Sequence, residues 1–236
     1  MPTLDADNTI RTHIEDAAAT GPADGTITID TNDIPTATNL TQTRPYTEGA
    51  ATVALNDIVI TDPDVGDTLT ATLTLANTAA GTLTATSGNG ETYTAGTGVW
   101  TVTGTLAAVN AALAAVAFVP ATNNDVNTTI TTHVEDALGT GPADGSIALN
   151  VTPVNDPPTA TNLTDTVAYT EGDGSVTLTD IVVSDVDTGE TITATLTLVN
   201  NATGSLTATS GNGETYTAGT GVWTVTGVLA SVNAAL

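Results

Sequence analysis

The sequence predicts an all-β protein made of tandem sandwiches, and three observations carry that prediction. A long segment repeats, short runs alternate apolar residues with threonine, and turn residues punctuate the chain densely. The repeat is plain: Leu83 to Gly104 recurs without change as Leu206 to Gly227, and Thr36-Ala37-Thr38-Asn39-Leu40 recurs as Thr159 to Leu163. Asn32 returns as Asn155, 123 positions on, whereas His13-Ile14-Glu15-Asp16 returns as His133-Val134-Glu135-Asp136 after 120, with three residues inserted near Val151 to Pro153. A period of about 123 residues is too long for a solenoid and suits an independent domain.

The phase divides the chain in three. Residues 1–33 match the C-terminal part of a repeat, 34–156 form a complete repeat, and 157–236 match the N-terminal part of a further one. The polypeptide therefore reads as a window on a longer array. Head-to-tail self-association between the two partial repeats is one reading, because unpaired sheet edges recruit other strands; a cut through a longer chain, with no such contact, is the other.

Within the complete repeat, strands are predicted at Ala51–Leu55, Asp57–Thr61, Thr68–Leu75, Gly81–Thr86, Val99–Gly104, Ala115–Val119, Thr128–Glu135 and Ser146–Val151. Thr68–Leu75 alternates strictly, one face apolar and one of threonine, the period of a half-buried strand. Turns are predicted at Asp64-Val65-Gly66-Asp67, Ser87-Gly88-Asn89-Gly90, Ala95-Gly96-Thr97-Gly98 and Gly141-Pro142-Ala143-Asp144-Gly145, where Gly, Asn and Asp supply turn conformations. Leu106, Val109, Asn110 and Leu113 share one helical face, which predicts a short connecting helix over 106–113. Seven or eight short strands separated by turns point to an immunoglobulin-like sandwich with Greek-key connections.

Composition limits function. The chain holds 26 acids against two bases, Arg11 and Arg44, and no lysine. Most carboxylates must therefore be neutralised by divalent cations, screened by salt, or left to keep a surface protein soluble. Nucleic acid is excluded as a partner, since phosphate binding needs Lys and Arg. The absence of cysteine removes disulfides, thiolate metal sites and thiol catalysis, and fits an exported protein stiffened by metal. No run of about 18 apolar residues is present, so no membrane insertion is expected.

The acids cluster. Asp62-Pro63-Asp64-Val65-Gly66-Asp67 in one repeat becomes Asp185-Val186-Asp187-Thr188-Gly189-Glu190 in the next. Alternating carboxylates before a glycine turn can face one ion, and calcium takes about six to eight oxygens from carboxylates, carbonyls and water. An ordinary acidic turn is the competing reading. Two stiff linkers, Thr31-Asn32-Asp33-Ile34-Pro35 and Val154-Asn155-Asp156-Pro157-Pro158, add further hard oxygen ligands, and proline makes them extended.

These residues resemble cadherin repeats. Asp30-Thr31-Asn32-Asp33-Ile34-Pro35 is similar to the cadherin linker, Asp62-Pro63-Asp64 and Asp185-Val186-Asp187 to its Asp-x-Asp motif, and Tyr46-Thr47-Glu48-Gly49 to its first-strand Glu motif. Val134-Glu135-Asp136-Ala137 resembles the penultimate strand with its Asp. Trp100 to Gly104, Val109 to Leu113 and Phe118 to Ala121 look like the bacterial cadherin-like and immunoglobulin-like repeats of giant extracellular adhesins of the RTX type.

The resemblance implies one Ca2+ cluster per junction. Asp30, Asn32 and Asp33 would join Asp62, Asp64 and Asp136 at one; Glu48 would join Asn155, Asp156, Asp185 and Asp187 at the other. The second junction departs from the pattern, with Asn150 at the repeat position of Asp30 and Pro153 in place of an acid, and the cadherin Asp-Arg-Glu motif is absent. The implied protein is a non-enzymatic, calcium-stiffened extender or adhesive repeat on the bacterial cell surface. Its partners would be neighbouring repeats and surface glycans.

Two rivals are weighed against it. A carbohydrate-binding accessory module of a secreted polysaccharide-degrading enzyme needs an exposed aromatic platform. A surface-layer protein of a salt-loving organism needs acids spread evenly over all strands. The other chemistry-bearing residues have bland readings: His13 and His133 as structural strand residues, Trp100 and Trp223 as core, and the Ser-Gly-Asn-Gly-Glu loops at 87–91 and 210–214 as turns.

Overall fold

A computed structural model describes residues 8–29, 31–64 and 66–236. The chain divides into two compact units, Met1–Pro153 and Val154–Leu236. The first begins with a hairpin of β1 (Asn8–Thr12) and β2 (Gly25–Ile29). It continues through β3 (Thr36–Thr38), β4 (Gln42–Thr47), β5 (Val53–Ala54), β6 (Val59–Thr61), β7 (Thr68–Leu75) and β8 (Gly81–Leu83). There follow β9 (Thr92–Thr94), β10 (Val99–Thr105), helix α1 (Leu106–Ala115), β11 (Ala117–Pro120), β12 (Thr128–Glu135) and β13 (Gly145–Thr152).

One layer is a six-stranded sheet in the order β4-β13-β12-β7-β10-β9; the other is built from β5-β11-β8 and β3-β6. The chain leaves the large sheet after β7 for β8, returns as the β9–β10 hairpin, crosses again to β11, and returns as β12–β13. The predicted all-β sandwich is the observed one. Along β7, Leu69, Ala71, Leu73 and Leu75 are buried while the threonines between them face outward. Trp100, Phe118, Ile130, Ile147 and Leu149 fill the space between the layers.

The predicted Thr68–Leu75 and Thr128–Glu135 strands have the observed bounds. Helix α1 runs two residues past its predicted end, so the strand expected from Ala115 begins at Ala117. Thr105 caps α1 by accepting the Ala108 N–H, the usual stop for an orphan donor at a helix start. Asn110 fastens the helix to β6: its side chain accepts from Ile60 N at 2.8 Å and donates to Ile60 O at 2.9 Å.

Three strands lack an alternation signal. β3 and β9 are three residues each, too short for alternation to register. β4 carries Pro45 and Arg44 and owes its conformation to β13, which it pairs in parallel from Gln42↔Ile147 to Thr47↔Thr152. Proline is tolerated there because β4 ends the sheet. The β4–β13 contact also needs Gly145, where an added Cβ would lie 2.2 Å from Leu40 O and 2.5 Å from Leu40 C. Gly145→Ala is expected to destabilise the sandwich by about 2 kcal/mol, read as a lower melting temperature.

The second unit holds β14 (Thr159–Thr161), β15 (Val182–Ser184), β16 (Ile192–Thr197), β17 (Thr215–Thr217), β18 (Val222–Gly227) and α2 (Leu229–Ala235). Its sheets are β16-β18-β17 and β14-β15. Repeat-equivalent pairs keep their register: Trp223 faces Leu196 as Trp100 faces Leu73. Asn233 binds Val183 as Asn110 binds Ile60, both bonds at 2.8 Å. Its core is correspondingly small, centred on Val183, Ile192, Trp223, Val225 and Val232.

Candidate metal centre

The acidic turn starts where β6 ends. Asp62 Oδ1 accepts the Asp64 N–H at 3.0 Å, closing a local turn. Asp64 Oδ2 then accepts the Asp33 N–H at 2.6 Å and so holds the linker backbone from 31 positions away. Asn32 donates its side-chain amide to Asp136 Oδ2 at 3.0 Å. Four of the predicted ligands, Asn32, Asp33, Asp64 and Asp136, are thus joined in two linker-to-sandwich bonds, and Asp62 is joined to Asp64. Asp30, the remaining member of that set, and Val65 within the turn lie outside the described residues.

Asp136 is buried in the loop after β12. Its Oδ1 accepts from Leu138 N at 2.8 Å and Thr140 N at 2.9 Å, and its Oδ2 accepts from the Thr140 hydroxyl. Burial pushes its pKa up, but the bonds from Asn32, Thr140 and Leu138 outweigh it and bring the value down to about 2. Donors aimed at a carboxylate favour its charged form.

Asp62 is different. Its Oδ2 is buried and accepts no hydrogen bond among the described residues. Burial raises its pKa; the Asp64 N–H opposes this, and the charges of Asp64, Asp67 and Asp136 raise it further. A cleft of about 300 Å3 opens beside it, lined by Asp62, Asp64, Asp67 and the first residues of α1. An orphaned, buried carboxylate oxygen among like charges is the environment that a cation would relieve.

The second unit repeats the arrangement. Asp187 Oδ2 accepts the Asp156 N–H at 2.6 Å, and Asp185 Oδ1 accepts the Asp187 N–H at 3.0 Å. Asp185 Oδ2 is buried with no hydrogen bond among the described residues. Carboxylate oxygens of Asp185, Asp187 and Glu190 lie within 4.8 Å of one another, close enough for one ion at roughly 2.3–2.6 Å from each. Asn155 donates its side-chain amide to Asp156 O at 3.1 Å. Glu48, grouped with these four by resemblance, belongs to the first unit, where its N–H donates to Thr152 O at 3.0 Å.

Sequence reasoning left two acids out of the ligand sets. Asp67 lines the cleft and bears on Asp62; Glu190 completes the second cluster. Both stand one residue after the turn glycine, at the same repeat position. That shared position was the available signal.

The bland readings find their contacts. Trp100 and Trp223 are 0% and 3% exposed. His133 Nδ1 contacts Asp144 Oδ1 at 2.6 Å and Nε2 contacts Glu135 Oε2 at 3.3 Å, and His13 repeats this with Asp24 and Glu15. Asp144 raises the pKa of His133, against an opposing effect of burial, and Glu135 adds to the rise. His133 lies in β12 as expected, whereas β1 stops at Thr12 and leaves His13 just beyond it.

The 87–91 loop folds onto its own anion: Glu91 accepts N–H groups of Ser87, Gly88 and Asn89. Burial opposes ionisation, yet these bonds bring the Glu91 pKa to about 2. Among the described strands the only acid is Glu135; the other described acids occupy turns, loops and linkers.

No protein-family model matches the sequence, and no curated protein matches it. Among solved structures, it is similar to the crystal structure of the human desmocollin-1 ectodomain, with a TM-score of 0.37 and 15% identity. That match covers 88% of this chain, and the chain spans 37% of that ectodomain.

Proposed function

We propose that this chain is a calcium-stiffened extender or adhesive repeat of an exported bacterial surface protein of the RTX-adhesin type, without enzymatic activity. The observation that carries the reading is the orphaned oxygen of Asp62, set in a linker-bound acidic turn, and its recurrence at Asp185. Calcium would be held by Asp62, Asp64 and Asp67 in the first unit and by Asp185, Asp187 and Glu190 in the second. Linker groups at Asn32, Asp33, Asn155 and Asp156, with Asp136 and Glu48, would complete the oxygen sets. A bound divalent cation supplies charge neutralisation, which would fix each linker to the sandwich that follows it.

Two features favour this over the rivals. The tryptophans are in the core, so they offer no sugar-stacking platform. The acids avoid the strands, unlike the even spread that adaptation to salt alone requires. Isothermal titration of the chelated protein with calcium tests the reading. Saturable uptake is expected, lost in the Asp62→Asn, Asp185→Asn double variant; a wild-type protein that takes up no calcium would refute it. Small-angle scattering in calcium and in chelator measures the stiffening.

A further inference from the structure

We propose that Asn89 and Asn212 are sites of self-modification, each cyclising onto the backbone nitrogen of the following glycine and losing its side-chain nitrogen as ammonia. The chain holds two Asn-Gly pairs, Asn89-Gly90 and Asn212-Gly213, and both stand in the same Ser-Gly-Asn-Gly-Glu loop of the repeat. The reaction needs a free nucleophile, a fixed electrophile, a proton for the leaving nitrogen and access for water. The loop provides all four.

The nucleophile is the Gly90 nitrogen. Gly90 is exposed. Glu91 takes the N–H groups of Ser87, Gly88 and Asn89 and leaves that of Gly90 without an acceptor among the described residues. A Cβ added at Gly90 or at Gly213 would meet no atom within 4 Å, so nothing crowds the attacking nitrogen and solvent reaches it. The positive φ, +91° at Gly90 and +88° at Gly213, favours glycine, and glycine has no side chain of its own to obstruct the attack.

The electrophile is the side-chain carbon of Asn89, which is half-buried and held twice. Its N–H donates to Glu91 Oε2 at 3.0 Å, and its Nδ2 donates to Ser87 Oγ at 2.8 Å. Asn212 repeats both bonds, to Glu214 Oε2 at 3.0 Å and to Ser210 Oγ at 2.9 Å. A serine hydroxyl thus lies against the nitrogen that must leave. Burial opposes ionisation of Glu91, but the loop N–H groups bring its pKa to about 2, so it is too weak a base to deprotonate Gly90. Hydroxide from solvent does so.

The steps balance with water as the sole co-reactant. Hydroxide takes the Gly90 N–H proton, the nitrogen bonds to Asn89 Cγ, and the Cγ–Nδ2 bond breaks. Ser87 Oγ–H gives its proton to the departing Nδ2, which leaves as ammonia, and water re-protonates Oγ. Water then opens the cyclic imide at either carbonyl, leaving aspartate or isoaspartate. Each event adds one negative charge to a chain already at −24 and sets it beside Glu91 or Glu214. Like charges this close repel, so the modified loop loosens. Calcium takes no part, and the assignment stands or falls apart from the function proposed above.

The test is mass spectrometry of the full chain, incubated in chelator at neutral and at mildly alkaline pH, with released ammonia measured in parallel. Cleavage after acidic residues frees segments 68–91 and 191–214, which differ in sequence, so the two loops are read separately. Asn77 and Asn201 lie in the same segments but precede Thr78 and Ala202, and serve as internal controls. The expected result is amide-to-acid conversion at Asn89 and Asn212 roughly tenfold faster than at Asn77 and Asn201, as the unobstructed intramolecular nucleophile requires. The rate should rise with pH, and both aspartate and isoaspartate should appear. Ser87→Ala is expected to slow Asn89 severalfold while Asn212 in the same molecule keeps its wild-type rate. Conversion at Asn89 and Asn212 no faster than at the controls overturns the proposal. Equal rates at the two loops of Ser87→Ala overturn the role given to Ser87.

Discussion

Calcium added to the chelated protein at pH 7 is expected to raise its melting temperature by roughly 5–11 °C. A ligand at about a hundred times its dissociation constant stabilises the folded state by about 2.7 kcal/mol, and each kcal/mol moves the midpoint of a chain this size by roughly 2–4 °C. The metal-free reference is weakened by Asp62 itself. Burial raises the folded pKa of Asp62 above its unfolded value, so its ionised form is disfavoured in the folded state. The contribution of Asp62 to the metal-free protein therefore becomes more favourable as pH falls through that folded pKa, and calcium removes the same penalty at neutral pH.

Asp62→Asn should separate the two effects. Without metal the variant is expected to melt above the wild type, because an amide carries no charge in the same place. With metal it should lose the calcium response of the first unit and leave that of the second. Magnesium at equal concentration should give a smaller shift, since it demands near-ideal octahedral geometry. Sodium chloride reproducing the whole calcium effect would favour simple screening over a bound ion. Differential scanning calorimetry reads all four conditions.

Asp136→Ala is expected to cost about 3 kcal/mol, through donors left in a buried loop without their acceptor. The backbone N–H groups of Leu138 and Thr140, the Thr140 hydroxyl and the Asn32 amide all lose the same carboxylate. The effect has a pH signature. The folded pKa of about 2 lies below the ordinary 3.8, so the contribution is fully present above about pH 4. It is lost as pH falls towards 2. Wild-type unfolding measured across that window should converge on the variant from above. Parallel curves would mean that Asp136 acts through shape and not charge.

Much of this was open to sequence reasoning because the fold is periodic at two scales. The alternation of β7 follows from one buried face, and β12 is readable for the same reason. The 123-residue repeat then makes each turn its own control: the bonds of Asp33 to Asp64 and of Asp156 to Asp187 have the same length. What stayed hidden depends on partners distant in the chain. β4 has no alternation strong enough to announce it, and its equivalent at 165–170 forms no strand. Asp67 and Glu190 were hidden for a related reason, since a turn carboxylate looks alike whether it points to solvent or to its neighbours. Only the coordinates reveal that they converge on Asp62 and on Asp185.

The parallel pairing of β4 with β13 has a mechanical meaning. Tension applied through the two ends of the repeat pulls these strands in opposite directions along their own axes. Their hydrogen bonds, from Gln42↔Ile147 to Thr47↔Thr152, are then sheared together and cannot be unzipped one at a time. A repeat pulled from its two ends would therefore yield at this ladder only when the whole row gives way at once.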